Sequence, residues 1–413
     1  MTIDTGPVRA ADRIVALDVI RGFALLGIFI MNMPGFNTSV FAGADGSHLF
    51  NDWWDRGLEQ ARTLLFDGKF NSMFSFLFGL GFTIQFERLR RNDSTHANAI
   101  YLRRLLVLLL LGLAHAWVFW FGDVLHIYAV LGILLIFVFS RLRDRWILVL
   151  IVLCLSAMTF YNLWRLPTLT PEFFAEKIVE AQQREAVTNR VFGTGSFTDA
   201  VRLNWRMMNA FYTNHEDLVG AVSFYLQMCT TMLLGLLAGR RRWIQDAAQH
   251  LPMIRRVQWW AMGIGLLAGG VAVVARELND PKAVSALDFA GGIGYRLSRV
   301  ALMSFYIATI VRLAQLPDWQ RRFAPIAVAG RMPLTNYLAQ TALGLTIFYG
   351  WGIGLWGKFG PLASTLLAVG LVLFVQVPFS RWWLERYRYG PLEYLWRVAT
   401  YGRLQAGQLT IDR

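Results

Sequence analysis

Apolar side chains run along this chain in blocks of about 20 residues, and each block is long enough to cross about 30 Å of hydrocarbon as an α-helix. Short segments rich in Gly, Pro, Arg and Asp separate the blocks. The pattern predicts an all-α, polytopic membrane protein with about ten transmembrane helices. They are placed at 14–33, 64–86, 102–121, 124–139, 146–164, 218–239, 258–276, 297–316, 326–349 and 362–380.

The basic residues are unevenly distributed between the two predicted sides of the membrane. With the N-terminus inside, the inner segments carry Arg clusters, such as RLRDR and the stretch from Arg240 to Arg256. Cytoplasmic loops carry the excess of Lys and Arg in polytopic proteins. We therefore predict that both termini are cytoplasmic. The short outer loops hold only Arg56, Arg62, Lys282, Arg296 and Lys358.

Composition supports this class and excludes others. Hydrophobic residues make up 55% of the chain and charged residues 16%. This composition is more apolar than that of a typical soluble domain. The net charge of +13 comes from Arg doublets at helix ends rather than from one basic face, so nucleic acid is not an expected partner. Cys154 and Cys229 lie inside apolar runs, and no metal-ligand spacing is present. We expect the lipid bilayer as partner, predict no metal, and leave a homo-oligomer open.

Residues 1–413 are predicted to form a single transmembrane helical-bundle domain with two further segments. Residues 165–217 form a long outer (periplasmic) loop whose apolar spacing predicts one or two amphipathic helices on the outer surface, covering a cavity. Residues 381–413 form a cytoplasmic tail in which aromatic and basic residues alternate, as in an interfacial anchor.

The first predicted helix carries two charges. Asp18 and Arg21 are spaced i, i+3, so they share a helix face and can pair. A charge at mid-bilayer costs at least about 2.5 kcal/mol, so both should face the bundle interior or a watery cavity. Asn32 lies three turns beyond Arg21 on the same face. Two interpretations stay open: a clamp between helices, or an anchor for a substrate's phosphate, carboxylate or CoA diphosphate.

A second group of titratable residues surrounds one predicted helical hairpin. His115 lies near the end of the third predicted helix, Asp123 in the outer turn, and His126 at the start of the fourth. Histidine can take and return a proton near neutral pH, and a carboxylate can fix its tautomer. The alternative is that each His is a hydrogen-bonded packing residue. These three residues are candidates for acid–base catalysis.

The stretch AGRMPLTNYLAQ interrupts the ninth predicted helix at Pro333. A break inside a membrane is tolerated where protein or water satisfies the freed backbone groups. Four polar side chains could line the break and bind substrate, or could instead hold neighbouring helices together. They are Arg331, Thr335, Asn336 and Gln340.

Two further residues are candidates on the outer side. Lys69 opens the second predicted helix, where it could extend to the interface or contact an anionic donor or acceptor. His48 lies in the first outer loop as an exposed titratable group.

Five stretches stand out as motifs: LDVIRGFALLGI, GKFNSMFSFLFGLGF, RRLLVLLLLGLAHAWVFWFGDVLHIYAVLG, GRMPLTNYLAQT and YGPLEYLWR. Together they resemble the YeiB-like bacterial inner-membrane proteins, a family classed as a domain of unknown function. The resemblance covers almost the whole chain and implies a multi-pass protein of the bacterial cytoplasmic (inner) membrane. His115 fits the family's pattern.

The Asp-x-x-Arg-Gly helix is also similar to the wider transmembrane acyltransferases. These include the acyltransferase-three enzymes and the lysosomal heparan glucosaminide N-acetyltransferase, which move acyl groups from acyl-CoA to sugars across a membrane. Acyltransferase-three enzymes place a His eleven residues after the Arg, where this chain has Asn32, and an amide cannot act as the proton acceptor. The lysosomal enzyme carries its His in the following outer loop, which makes His48 a further candidate for the base.

Two functions follow as hypotheses. The first is a membrane acyltransferase that moves an acyl group from cytoplasmic acyl-CoA to a hydroxyl or amine of a sugar or lipid acceptor at the outer face. His115, His126 or His48 would be the general base, and acyl-CoA would enter beside Arg21. The second is a transporter, or a protein that handles lipids or small anions without catalysis, because buried charges and a Pro-broken helix suit that function equally.

Overall fold

The computed structural model describes residues 14–92 and 97–402, and helices account for nearly all of its regular structure. No β-strand occurs within these two ranges. The helices, in chain order, are α1 (Val15–Asn37), α2 (Trp53–Leu65), α3 (Lys69–Asn92), α4 (Ala97–Ala114), α5 (Leu125–Phe137), α6 (Asp144–Trp164), α7 (Pro171–Thr194), α8 (Phe197–Thr213), α9 (His215–Arg240), α10 (Ala247–Glu277), α11 (Ala286–Leu313), α12 (Pro317–Gly330), α13 (Pro333–Phe348), α14 (Pro361–Leu371), α15 (Val377–Leu384) and α16 (Pro391–Tyr401).

The prediction of an all-α protein with membrane-spanning helices is confirmed. Over the described residues, six helices are long and apolar enough to span a membrane, and Leu125–Arg141 is a shorter apolar helix. Helices α3 and α11 are also long; Lys69 is the first residue of α3, whereas Arg296 and Arg299 interrupt the apolar run of α11. Ten crossings and the cytoplasmic position of the termini stay predictions. The six helices are Val15–Asn37, Ala97–Phe119, Asp144–Trp164, His215–Arg240, Ala247–Glu277 and Pro361–Leu384.

Glycines allow the central helices to pack backbone against backbone. A Cβ at Gly79 of α3 would overlap the Met232 carbonyl of α9, and a Cβ at Gly235 of α9 would overlap the Phe76 carbonyl of α3. Because lipid is as apolar as the side chains, such close packing rather than hydrophobic exclusion holds membrane helices together. The backbones of α3 and α9 are thereby in direct contact.

The predicted outer loop forms α7 and α8. A capping box begins α8, because the Ser196 hydroxyl accepts from the Asp199 backbone while the Asp199 carboxylate accepts from the Ser196 backbone. An ion pair fastens α7 to the N-terminal end of α9, where Arg184 donates to Asp217 at 2.8 Å. The two helices are therefore attached to the bundle.

Two helices contain a π-helical turn. Residues His115–Phe119 continue α4 in this form, and the Trp120 backbone N–H donates to the His115 carbonyl at 2.9 Å. Residues Val372–Gln376 connect α14 to α15 in the same way. Single π-turns often occur at functional sites. Both of these turns lie against α13, through hydrogen bonds of His115 and Gln376.

Candidate functional site

His115, Asp123 and His126 meet at the hairpin between α4 and α5. His115 opens the π-helical turn, Asp123 lies in the connection, and His126 is the second residue of α5. The Asp123 side chain has no exposed surface, and both imidazoles are 4% exposed. The hairpin thus encloses three titratable groups in an apolar surrounding.

One carboxylate binds both histidines. The His115 Nδ1 lies 2.8 Å from Asp123 Oδ1, and the His126 Nδ1 lies 2.7 Å from Asp123 Oδ2, which also accepts from the His126 backbone at 3.0 Å. Burial raises the pKa of the Asp123 carboxyl, but the hydrogen bonds from the two histidines outweigh burial, so its pKa lies below the usual range. An ionised carboxylate only accepts hydrogen bonds, so both imidazoles carry their proton on Nδ1.

In the neutral form of each histidine, the opposite nitrogen therefore accepts a hydrogen bond from a hydroxyl. Thr341 of α13 donates to His115 Nε2 at 3.0 Å. Tyr212 of α8 donates to His126 Nε2 at 2.7 Å, and Tyr225 of α9 lies 3.2 Å from the Tyr212 hydroxyl. Each basic nitrogen thus faces a proton that it could remove.

Helix α8 packs against this group. The Asn204 amide donates to the Ala116 carbonyl of the π-helical turn at 2.6 Å. Trp117 stacks on Tyr212 with ring centroids 6.0 Å apart, and its indole donates to Asn209 at 3.1 Å. The outer loop therefore contributes to the walls around the two histidines.

A pair of buried cations lies near the hairpin. Lys69, 1% exposed, donates to the Thr63 carbonyl at 2.8 Å, so it does not extend to the interface. Arg299 of α11, 2% exposed, donates through Nε to the Gly68 carbonyl at 2.9 Å and to Ser72 Oγ at 2.8 Å. Its Nη1 donates to Gln227, whereas its buried Nη2 has no hydrogen-bond partner among the described residues.

Tyr128 connects the two groups. Its hydroxyl donates to the Asn71 carbonyl of α3 at 2.9 Å. Asn71 is followed by Ser72, which binds Arg299, and Tyr128 follows His126 by two residues in α5. The cations and the His–Asp–His hairpin are therefore neighbours in the bundle.

The predicted pair in α1 is present. Arg21 Nη1 donates to Asp18 Oδ1 at 3.0 Å, and the Arg21 side chain is 30% exposed. A Cβ at Gly330 would overlap the Asp18 carbonyl, so α1 and α12 are in close contact there. Asn32, three turns further on, is half-buried. This pair contacts α12, a different part of the bundle from the His–Asp–His group.

The helix break at Pro333 is closed by the C-terminal segment. Glu393 Oε1 accepts from the backbones of Leu334 and Thr335 at 2.7 and 3.0 Å, and Oε2 accepts from the Thr335 hydroxyl at 2.6 Å. Burial raises the Glu393 pKa, yet Oε1 can accept both backbone bonds in either protonation state. The carboxyl group therefore caps α13 from α16.

Other polar residues of the break bind neighbouring helices. Asn336 donates to the Ala329 carbonyl at 2.9 Å and to Ser380 at 3.0 Å. Gln340 donates to Gln376 at 3.0 Å. Arg331 is the C-cap of α12 and is half-buried. These contacts favour the structural interpretation of the break.

His48 belongs to a separate surface group. Its Nδ1 lies 3.7 Å from the Glu59 carboxylate of α2, and Glu59 also pairs with Arg276 of α10 at 2.8 Å. The structure thus brings together His115, Asp123 and His126, and it leaves His48 among exposed partners.

Four contributors were missed in the sequence. Thr341 and Tyr212 are distant in the chain from the histidines they contact, so nothing local marked them. Arg299 had a signal, because it is a charge within a predicted span, like Arg21. Glu393 was attributed to an interfacial anchor instead of a helix cap.

No group of three or more His, Cys, Asp or Glu is arranged to hold a metal ion within residues 14–92 and 97–402. At the hairpin the Nδ1 atoms point to the carboxylate, and the Nε2 atoms point to different hydroxyls. The nitrogens therefore do not converge on one point.

These observations define a class: a polytopic, all-helical membrane protein with a carboxylate shared by two buried histidines. Residues 238–403 match the family described as "Protein of unknown function (DUF418)". The chain is 32% identical to "Uncharacterized protein YxaH" of Bacillus subtilis (strain 168), over 96% of both proteins. It is 27% identical to "Uncharacterized protein YeiB" of Escherichia coli (strain K12), over 94% of this chain and 96% of that protein.

The chain therefore belongs to the YeiB-like family, which confirms the family predicted from its motifs. The matched segment contains Arg299, Thr341 and Glu393, but it begins after His115 and His126. These descriptions assign no activity, so a functional proposal has to rest on the site.

Proposed function

We propose that the protein is a membrane acyltransferase in which His115 is the general base. The observation that supports this most is the contact of His115 Nε2 with a hydroxyl while Nδ1 is held by Asp123. An imidazole oriented in this way can take a proton from a hydroxyl, and the adjacent carboxylate stabilises the imidazolium that forms.

The reaction would be a transfer from a thioester to a hydroxyl. His115 removes the proton as the acceptor oxygen attacks the acyl carbonyl, the carbon–sulfur bond breaks, and the imidazolium returns its proton to the CoA thiolate. Thr341 occupies the position on Nε2 that the acceptor hydroxyl needs. Because threonine in a helix has two accessible χ1 rotamers, its side chain can rotate away.

The buried cations would bind an anionic part of the acceptor. Lys69 and Arg299 approach the histidine hairpin through Tyr128, and the unpartnered Arg299 Nη2 offers a donor for an oxyanion. Arg21 lies near the N-terminal end of α1, and its side chain is 30% exposed. It could therefore bind the CoA diphosphate on the cytoplasmic side. The proposal includes ten crossings, cytoplasmic termini and the bacterial inner membrane.

Release of CoA tests this function. Membranes that contain the protein would be supplied with acetyl-CoA and longer acyl-CoAs, so that native lipids and glycans serve as acceptors, and free thiol would be measured. We expect His115→Gln to lower release by about 10²- to 10⁴-fold. His215→Gln is the matched control, because that imidazole is 74% exposed and its partner is the surface residue Glu216. Unchanged release in His115→Gln, or no release with any donor, would contradict the proposal.

A second candidate function is anion transport, and the buried Lys69 and Arg299 favour it. Two cations buried close together bind an anion readily, and binding without chemistry is what a transporter needs. Uptake of radiolabelled phosphate into proteoliposomes, with no acyl-CoA present, would distinguish it from acyl transfer. Uptake that is lost in Arg299→Gln and kept in His115→Gln would favour transport.

A further inference from the structure

A groove separates the N-terminal part of α10 from the C-terminal end of α11, far from the histidine hairpin. The groove is open on one side and has a volume of about 750 Å³. The charge pattern places this end of both helices on the cytoplasmic side. The lining residues are Leu251, Pro252, Arg255, Arg256, Trp259, Trp260, Arg312, Leu313, Gln315 and Leu316.

The lining is strongly basic. Arg255 and Arg256 are exposed, and Arg312 donates to Gln258, which donates in turn to Thr309 at 2.8 Å. No acidic residue is among the lining residues in the described part of the chain. Three guanidinium groups therefore share one cavity without a carboxylate, and the Gln258 contact holds one of them in place.

The groove lies at the depth of the lipid headgroups. Helix α10 has 31 residues, so it is about 46 Å long and exceeds the hydrocarbon thickness of about 30 Å. Its first ten or so residues, up to the arginines, thus project into the headgroup region. Trp260 is 73% exposed and begins an apolar face that continues through Ile264 and Leu267. Exposed Trp residues are typical of the membrane interface.

We propose that this groove is a binding site for an anionic phospholipid of the inner leaflet. The phosphodiester lies between Arg255, Arg256 and Arg312, and the acyl chains lie along the face that begins at Trp260. A zwitterionic lipid would bring its own ammonium group against three arginines, so the site prefers a headgroup with no cation. A soluble anion would leave the apolar face uncovered.

Native mass spectrometry of the full chain, purified in detergent and supplied with equal amounts of phosphatidylglycerol and phosphatidylcholine, tests this site. We expect the wild type to retain phosphatidylglycerol with about tenfold preference. The double variant Arg255→Gln/Arg256→Gln should lose most of that preference. The matched control is Arg321→Gln/Arg322→Gln on α12, which removes the same charge from exposed positions outside the groove.

Three results would overturn the proposal. The first is equal retention of the two lipids by the wild type, and the second is an equal preference in both double variants. The third is a dimer whose dissociation follows loss of the groove arginines, because a second copy of the chain would then be the occupant. If the double variant does not fold, Arg312→Gln replaces it, with Arg321→Gln as its control.

Discussion

The histidine hairpin and the capped helix break carry the same sequence signal, polar residues inside an apolar run, but differ in what their polar atoms do. At the break, backbone donors and side-chain amides are taken up by Glu393, Gln376 and Ser380. At the hairpin, His115 and His126 each keep a basic nitrogen directed at a hydroxyl. A buried polar group is therefore suited to acid–base chemistry when its hydrogen bonds can exchange a proton, and to a structural function when its hydrogen bonds close a helix end.

A substitution at the shared carboxylate should distinguish the two regions by activity. Asp123→Asn replaces an acceptor of two Nδ1–H groups by an amide that can accept from only one, so one imidazole must change its tautomer. We expect CoA release to fall by about 10²- to 10⁴-fold with folded yield retained.

Asp246→Asn, at an exposed pair with Arg242, is the control and should leave CoA release unchanged. If the Asp123→Asn variant releases CoA at the normal rate, the hairpin has a structural function, as the helix break does.

Removing the cap at the break should act on stability instead. Glu393→Ala leaves two backbone donors of α13 and the Thr335 hydroxyl without their acceptor, which we expect to cost about 2–4 kcal/mol and to lower the melting temperature. Glu385→Ala, at an exposed pair with Arg381, should cost about 0.5 kcal/mol or less. If the Glu393→Ala variant melts at the normal temperature but releases no CoA, the helix break contributes to activity and not to stability, contrary to this expectation.

Thr341 lies on the border between the two regions, because it is on α13 and contacts His115. Thr341→Val removes the hydroxyl while conserving shape. If Thr341 only occupies the place of the acceptor, stability should fall by about 1 kcal/mol and CoA release should change by less than threefold. Loss of release comparable to that of His115→Gln would instead make Thr341 a reacting group.

The ion pairs of Glu180 lie at the surface, outside both regions, and their effect on stability should be the smallest of these. A hydrogen bond from Lys177 and the charge of Arg184 hold the pKa of Glu180 on α7 below its usual range. Because the pKa of Glu180 is lower in the folded than in the unfolded state, its ion pairs with Lys177 and Arg184 stabilise α7 fully above about pH 4.3. This stabilisation is lost as the pH falls through the folded-state pKa of Glu180. Hydrogen exchange of α7, corrected for intrinsic rates, should be constant from pH 7 to 5 and rise only below about pH 4.3, and this rise should be absent in Glu180→Gln.

The sequence anticipated local relations better than distant ones. His115, Asp123 and His126 lie within twelve residues, so a single hairpin was enough to predict that they are close. Asp18 and Arg21 were predictable as a pair because helix geometry fixes i, i+3 neighbours. Helix ends differ by several residues, as at α11, which begins at Ala286 rather than near 297.

The remaining contacts depend on how helices pack, which periodicity does not encode. Thr341 meets His115 across 226 residues, and Glu393 meets Leu334 across 59. Arg299 belongs to a different case. Its position inside an apolar run was visible, but only packing against the turn before α3 brings it to Gly68 and Ser72.

The two π-helical turns make the geometry around α13 depend on the number of residues in each turn. Each turn accommodates one residue more than a regular helix, and each presents a side chain, His115 or Gln376, to α13. Deleting one residue from such a turn would let it close as a regular helix and would change which side chain faces α13. A single-codon deletion in the turn that His115 opens is therefore expected to move the imidazole away from the Asp123 carboxylate, although His115, Asp123 and His126 all remain in the chain.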